Sequence, residues 1–333
     1  MKERDVVGKK DLDLQVRVGN IQLRNPIILS PGPLGRTPIS MKHFADAGCG
    51  AVCSKTLSLE PWEGNPNPKK LNLSYGWMLN AEGGPNIGIE AFSEIMKRVR
   101  KQIRDSHVII SVVGKTIEEF VDLARQAEEM GADILDLDIT CPNTSGKGIS
   151  DSWQKDLDLL YELIRAVKEA VTVPLWIKFI TSYGTLLEIA KTLERAGADV
   201  VVPLVSLGAM AIDPETGKPK LGFEHGVGIA TGPPLKYAEL KAVADVSRTV
   251  KIPVIATGGC SSGLDVIEYL MAGAKGVEIH TTFMQNGIRH VGNMISQIRQ
   301  FMEEKGWTRL EDLVGLTLKY LPEEPLPVWY RQV

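Results

Sequence analysis

Eight short apolar runs, each followed by an amphipathic segment of helical period, predict an α/β fold: a closed (β/α)8 TIM barrel. Two further observations point the same way. The runs show little alternation of polar and apolar residues, as expected of a parallel sheet covered on both faces. The long inserts all follow the C-terminal end of a run, the face on which barrels carry their chemistry.

The elements follow in order. DLQVRVGNIQLRNP (13–26) alternates on both arms around Gly19-Asn20 and predicts an N-terminal β-hairpin. The eight runs are PIILSPG (26–32), AVCSKT (51–56), VIISVVG (108–114), DILDLDI (133–139), PLWIKF (174–179), DVVVPLV (199–205), PVIATG (253–258) and GVEIHT (276–281). Examples of the amphipathic segments are 90–105, 116–132, 156–171, 185–198, 233–250 and 261–274. Several end in Gly-Ala directly before the next run, a helix C-cap leading into a strand. An open doubly wound sheet is the alternative, but its first strand usually leads into a dinucleotide fingerprint, and here it ends SPGPLG. Three extended loops are predicted at 57–89, 140–155 and 206–232. The chain reads as one domain, with a barrel core over about 26–305 and a tail over 306–333.

Composition narrows the function. The 333 residues carry 38 basic and 41 acidic side chains, and 44% are hydrophobic. These values exclude a disordered, collagenous or disulfide-scaffold chain. A pI near 6.0 argues against a nucleic-acid binder. The charged start MKERDVVGKK is no signal peptide, and no run reaches the roughly 18 apolar residues of a membrane span. Cys49, Cys53, Cys141 and Cys260 form no CxxC pair, so no metal site is expected and a cytoplasmic setting is.

Four constellations carry chemistry. ATGGCSSG (256–263) leaves the seventh strand through Gly258-Gly259 into a helix, so backbone N–H groups and the helix N-terminus can hold a phosphate, with His280 and Thr281 opposite. DLDITCPNTSGKG (136–148) puts Cys141 in a polar loop on the catalytic face, where a thiol can act as acid/base or nucleophile. Lys55 and Lys178 lie at strand ends and face an anion in the barrel mouth, or Lys178 serves as a Schiff-base lysine. LNAEGGPNIG (79–88) offers Asn80 and the backbone at Gly83 and Gly84 to a small ligand. Gly114-Lys115-Thr116 ends like a P-loop, but Ile109 stands where its first glycine belongs.

Together KTLSLEPWEGNPNP (55–68), NAEGGPNIG (80–88), TCPN (140–143), PLWIKF (174–179), ATGG (256–259) and IHTT (279–282) resemble the dihydroorotate dehydrogenase family in its cytosolic, cysteine-using class. They also resemble the catalytic domain of dihydropyrimidine dehydrogenases. The resemblance spans about 13–305 and implies FMN in the barrel mouth. It implies that the FMN phosphate meets Gly258, Gly259, His280 and Thr281 with Gly232 nearby, and that Ser30, Gly32, Lys55, Thr56, Ser111 and Asp138 line the flavin. It gives the catalytic roles to Cys141, Lys55 and Lys178. Lys178 would stabilise the anionic reduced ring, and Cys141 would take the proton while hydride passes to the flavin. Asn80, Glu82, Gly83, Gly84, Asp138, Asn143, Val205 and Ser206 fall at the substrate-reading positions.

The departures from the family pattern lie among those readers. Asp138 stands where the family has asparagine, Val205 before Ser206 replaces another asparagine, Glu82 replaces an apolar residue, and His280 replaces a glycine. A carboxylate only accepts hydrogen bonds where an amide also donates. The substrate is therefore expected to be a dihydropyrimidine-like ring other than dihydroorotate, one offering two N–H groups or a positive charge. Two alternatives stand beside this: a non-redox barrel lyase or isomerase acting on a phosphorylated substrate, and a flavin-binding subunit without catalysis. The expected partners are the small-molecule substrate, a small electron acceptor or a separate electron-transfer subunit, and a second copy in a homodimer.

Overall fold

The computed structural model describes residues 11–140, 152–181, 184–222 and 226–322. In chain order its strands are β1 (Val16–Val18), β2 (Ile21–Leu23), β3 (Ile27–Leu29), β4 (Ala51–Cys53), β5 (Lys70–Asn72), β6 (Met78–Asn80), β7 (His107–Val112), β8 (Ile134–Asp138), β9 (Leu175–Thr181), β10 (Val200–Val205), β11 (Leu207–Met210), β12 (Val227–Thr231), β13 (Val254–Thr257) and β14 (Ala274–Ile279). The helices are α1 (Pro38–Asp46), α2 (Ile89–Val99), α3 (Ile117–Glu129), α4 (Ser152–Lys155), α5 (Leu157–Ala170), α6 (Leu186–Ala196), α7 (Lys236–Thr249), α8 (Gly263–Met271), α9 (Thr281–Asn286) and α10 (His290–Lys305).

Eight strands close a parallel barrel in the order β3-β4-β7-β8-β9-β10-β13-β14. Each of the eight apolar runs overlaps one of them, so the predicted TIM barrel is the observed fold. The predicted hairpin is also present: β1 and β2 pair antiparallel around Gly19-Asn20, with Val18 opposite Ile21. Its buried Val16, Val18 and Leu23 pack with Ile28, Ala51, Ile109, Ile134, Trp176, Val200, Val202 and Ile255 inside the barrel. The hairpin thereby plugs one end. Each large apolar side chain buried this way contributes about 1.5–3 kcal/mol.

Strand periodicity then determines what reaches the other end. Side chains two residues apart share a face. From the inward Ile28, Ala51, Ile109, Ile134, Trp176, Ile255 and Gly276, the next inward positions are Ser30, Cys53, Ser111, Asp136, Lys178, Thr257 and Glu278. The barrel interior is therefore apolar below and polar above.

Two departures from expectation concern the inserts and the short helices. Residues 57–89 and 206–232 are not merely loops. They contribute β5, β6, β11 and β12, which pair antiparallel as a four-stranded sheet in the order β11-β12-β6-β5. The strands are only three to five residues long and alternate weakly, so sequence periodicity did not expose them. Helices α1, α4, α9 and α10 lie outside the six segments quoted as examples. Among the described residues, no helix is long and apolar enough to cross a membrane.

Candidate active site

A cleft of about 250 Å³ opens at the polar end of the barrel. Its floor is the strand ends and its roof is the antiparallel sheet, through Met78 and Asn80 of β6 and Ile229 and Thr231 of β12. Of the residues singled out from sequence, Ser30, Gly32, Lys55, Thr56, Asn80, Glu82, Asp138, Lys178, Val205, Gly232, Gly258, Gly259, His280 and Thr281 line it. Gly83 and Gly84 line a smaller side pocket with Trp62 and Val113, sharing Lys55, Thr56, Asn80, Glu82 and Asp138 with the cleft. Ser111 lies behind the wall: it is fully buried, and its hydroxyl donates to Thr56 Oγ1 at 3.1 Å. Ser206 is not among the lining residues. Cys141 and Asn143 lie outside the described residues.

The floor is a buried ionic cluster. Lys178 Nζ lies 2.7 Å from Glu278 Oε2 and 3.8 Å from Asp136 Oδ2. The Ser30 hydroxyl donates to the same Glu278 oxygen at 3.0 Å. Burial works against charge on Lys178, but Asp136 and Glu278 outweigh it and hold its pKa above the ordinary lysine value. An ammonium held so firmly is a poor Schiff-base nucleophile, which counts against the lyase reading. Burial pushes the Asp136 carboxyl up to about 7, against the pull of Lys178.

Above the floor, two carboxylates face the cleft. Glu82 spans two lysines: Oε1 lies 2.7 Å from Lys70 Nζ and Oε2 lies 3.4 Å from Lys55 Nζ. Burial raises its pKa, but the two cations outweigh burial and hold it below the usual carboxylate range. Asp138 Oδ2 accepts from Thr56 Oγ1 at 3.1 Å. Its Oδ1 accepts from the Thr140 backbone N–H at 3.0 Å and from the Thr140 hydroxyl. Three of its roughly four acceptor positions are filled, which leaves one toward the cleft.

The motif 55–68 explains how Glu82 is aimed. Asn65 ties the two segments together: its Nδ2 donates to Ala81 O and its N–H donates to Glu82 O, each at 2.9 Å. Gly83 adopts φ 69°, and a Cβ there would lie 2.4 Å from Asn65 Oδ1. The EGNPNP block and the NAEGGP block are thus two halves of one clamp.

The glycine loop after β13 differs from its expected role. The N-terminus of α8 is closed by its own side chains: Ser262 Oγ accepts from Asp265 N–H, and Asp265 Oδ2 accepts from the N–H groups of Ser261 and Ser262. The Gly263 N–H donates to Gln297 Oε1 at 2.6 Å. The anticipated helix-end anion site is therefore filled by Asp265, and only the Gly258-Gly259 backbone itself borders the cleft. Gly259 sits at φ 67°, where a Cβ would lie 2.3 Å from the Lys236 backbone nitrogen. The Tyr269 hydroxyl donates to Gly258 O at 2.8 Å and holds the loop from behind.

His280 also differs from its expected role. Its ring packs on Gly32, whose Cβ would lie 2.4 Å from the imidazole. Burial lowers its pKa to about 4, so the ring is neutral at pH 7. Its Nδ1 lies 3.2 Å from Ser30 O, and a carbonyl can only accept, so Nδ1 carries the proton. Nε2 is then a buried acceptor without a hydrogen-bond partner among the described residues. It offers a phosphate no donor.

Val205 presents apolar surface to the cleft, and its backbone N–H donates to both oxygens of Glu239 at 3.1 Å. Burial raises the Glu239 pKa well above the ordinary value. Sequence reasoning passed over Lys70, Glu239, Asp136 and Glu278. For the last two a signal existed: a carboxylate inside an otherwise apolar strand run must point into the barrel or be solvated. Among the described residues, no group of His, Cys, Asp and Glu is placed to hold a metal ion.

The residues fit a planar, partly polar group with an anionic tail. A buried lysine supplies positive charge on the floor, and the Gly258-Gly259 backbone approaches the cleft without side chains. The dihydroorotate dehydrogenase family model matches residues 13–302. The catalytic subunit of dihydroorotate dehydrogenase B (NAD(+)) from Methanocaldococcus jannaschii is 35% identical over 305 residues, 91% of this chain and 97% of that one. The corresponding subunit from Pyrococcus abyssi is 34% identical over 306 residues, 92% of this chain and 99% of that one. The crystal structure of DHODH from Eimeria tenella in complex with ferulenol covers 95% of this chain and 91% of its own, with a TM-score of 0.77. At 20% identity it shares the fold.

Proposed function

The chain belongs to the dihydroorotate dehydrogenase family and is an oxidoreductase acting on CH–CH donors; from that premise we propose that it binds FMN in the barrel mouth and acts on a dihydropyrimidine-like ring that lacks dihydroorotate's carboxylate. The observation that carries the substrate reading is Glu82. Its carboxylate takes up both Lys70, at 2.7 Å, and Lys55, at 3.4 Å. Lys55, Lys70, Glu82 and Asp138 carry no net charge together, so a substrate carboxylate gains no free cation there. Asp138 supports the same reading: its remaining acceptor position suits a ring N–H. Val205 adds an apolar wall where an amide would read a second polar edge.

The residues that would hold FMN are Gly258, Gly259, Gly232 and Thr281 at its phosphate, with Ser30, Gly32, Lys55, Thr56 and Lys178 along the ring. A flavin bound there would supply the acceptor for the hydride that leaves a substrate C–H bond as the ring C–C bond becomes a double bond. Lys178, on the cleft floor and paired with Glu278 at 2.7 Å, would be a cation available to the reduced ring. The thiol of Cys141 is assigned the substrate proton, because Cys141 follows Thr140 in the sequence and both Thr140 and Asp138 line the cleft. The names of the archaeal relatives, catalytic subunits of an NAD+-linked enzyme, support a separate electron-transfer subunit as the outlet for the electrons.

The test is an anaerobic visible spectrum of the purified protein. Flavin absorbance that bleaches with dihydrouracil and not with dihydroorotate is the expected result. Bleaching by dihydroorotate at a comparable rate would overturn the substrate reading. A colourless protein that takes up no FMN would overturn the cofactor reading.

A further inference from the structure

On the flavin reading above, we propose that Glu278 sets the reduction potential of the bound flavin by neutralising Lys178, which makes it a positioning residue acting through that lysine. Lys178 is the cation beneath the cleft, and its side chain is 6% exposed. In water such a charge would be screened, but on a dry barrel floor its field reaches whatever lies above it. A lone ammonium there would favour the reduced, anionic form of a flavin strongly.

The ammonium is not alone. Glu278 reaches it from β14, three strands around the barrel from β9, at 2.7 Å. Ser30 Oγ fixes the same carboxylate oxygen at 3.0 Å, so the pair is held rather than incidental. The cleft above therefore meets the field of an ion pair, which falls off faster than that of a single charge. Asp136 lies farther away at 3.8 Å, and its carboxyl is raised to about 7 by burial. The Glu278 charge is itself one of the causes that raise it, so the Glu278→Gln variant is measured together with Asp136→Asn, in which Asp136 cannot ionise in its place. Cys53, the remaining titratable neighbour of this layer, is pushed well above its ordinary pKa by burial and is neutral. Glu278 is thus the principal counter-charge to Lys178.

The expected consequence is a flavin that is harder to reduce than a bare lysine would make it. Glu278→Gln keeps the shape and the oxygen that accepts from Ser30 and faces Lys178 Nζ, and it removes the charge. At pH 6 it should raise the reduced-to-oxidised ratio of the FMN-loaded protein, at a fixed ambient potential, by at least tenfold, about 30 mV for a two-electron couple. Glu278→Asp keeps the charge but withdraws it by one methylene, and it should shift the ratio the same way by less. The measurement is a spectroscopic redox titration against a dye of known potential. A Glu278→Gln protein that holds FMN with a ratio within twofold of the parent overturns the role of Glu278 alone. If that variant holds no FMN, Glu278→Asp decides, and an unshifted ratio overturns the role. A parent protein that takes up no FMN overturns the flavin reading and this role with it.

Discussion

Replacing Glu82 with glutamine should open the cleft to rings that carry a carboxylate. The parent side chain is 11% exposed and pairs with Lys70 at 2.7 Å and Lys55 at 3.4 Å. With Asp138 included, the four charges cancel. Glutamine keeps an oxygen for Lys70 but leaves the group with a charge of +1. Two unit charges about 4 Å apart interact by about 4 kcal/mol at the effective dielectric of a partly buried site. Partial screening by Asp138 leaves about 3 kcal/mol, or ~100-fold in Kd. Orotate and uracil, which differ by that carboxylate, are the probes. Titrated by calorimetry into parent and variant, orotate should tighten ~100-fold in Glu82→Gln, while uracil changes by less than about threefold. Orotate binding the two proteins equally would refute the reasoning, because Glu82 would then not be withholding the lysines.

Three further outcomes are expected. Cys141→Ser should slow flavin reduction by substrate by about 10²–10⁴-fold while leaving the FMN content unchanged, as read by stopped-flow absorbance. His280 is held at a pKa of about 4, against 6.5 for an ordinary histidine, so between those values the unfolded chain binds the extra proton and stability falls as pH drops. His280→Gln should therefore lose about 3 kcal/mol less stability than the parent between pH 6.5 and 4, measured by urea unfolding. Gly259→Ala places a methyl 2.3 Å from the Lys236 nitrogen at φ 67°, so the loop must shift. It should lose about 1–3 kcal/mol of stability together with most of its bound FMN, measured by thermal unfolding and the flavin-to-protein ratio.

The barrel was legible because its code is local. An apolar run followed by a helical period repeats eight times, and each run overlaps a barrel strand whatever the rest of the chain does. Glycines and capping residues punctuate the pattern at short range as well. The hairpin at Gly19-Asn20 belongs to the same class, since two-residue turns and strand alternation are read within a dozen residues. The motifs around Lys55, Glu82, Lys178 and Gly258 also pointed to the cleft that these residues line.

What the tertiary structure decided was pairing over distance. The roof sheet joins residues 70–80 to 207–231 through strands too short for any period to reveal. Glu82 was legible as a departure from a motif, but only folding brings Lys70 to one oxygen and Lys55 to the other. Asp265 was legible as a residue in the first turn of a helix, yet its side chain fills the N-terminus that an anion was expected to take. Glu278 and Lys178 lie 100 positions apart in the sequence and meet because a closed barrel turns alternate side chains of β14 and β9 into one small interior. Sequence by itself determined which groups the barrel mouth contains; barrel closure determined which of them neutralise one another, because Coulomb pairing depends on a few ångströms of separation that no spacing along the chain encodes.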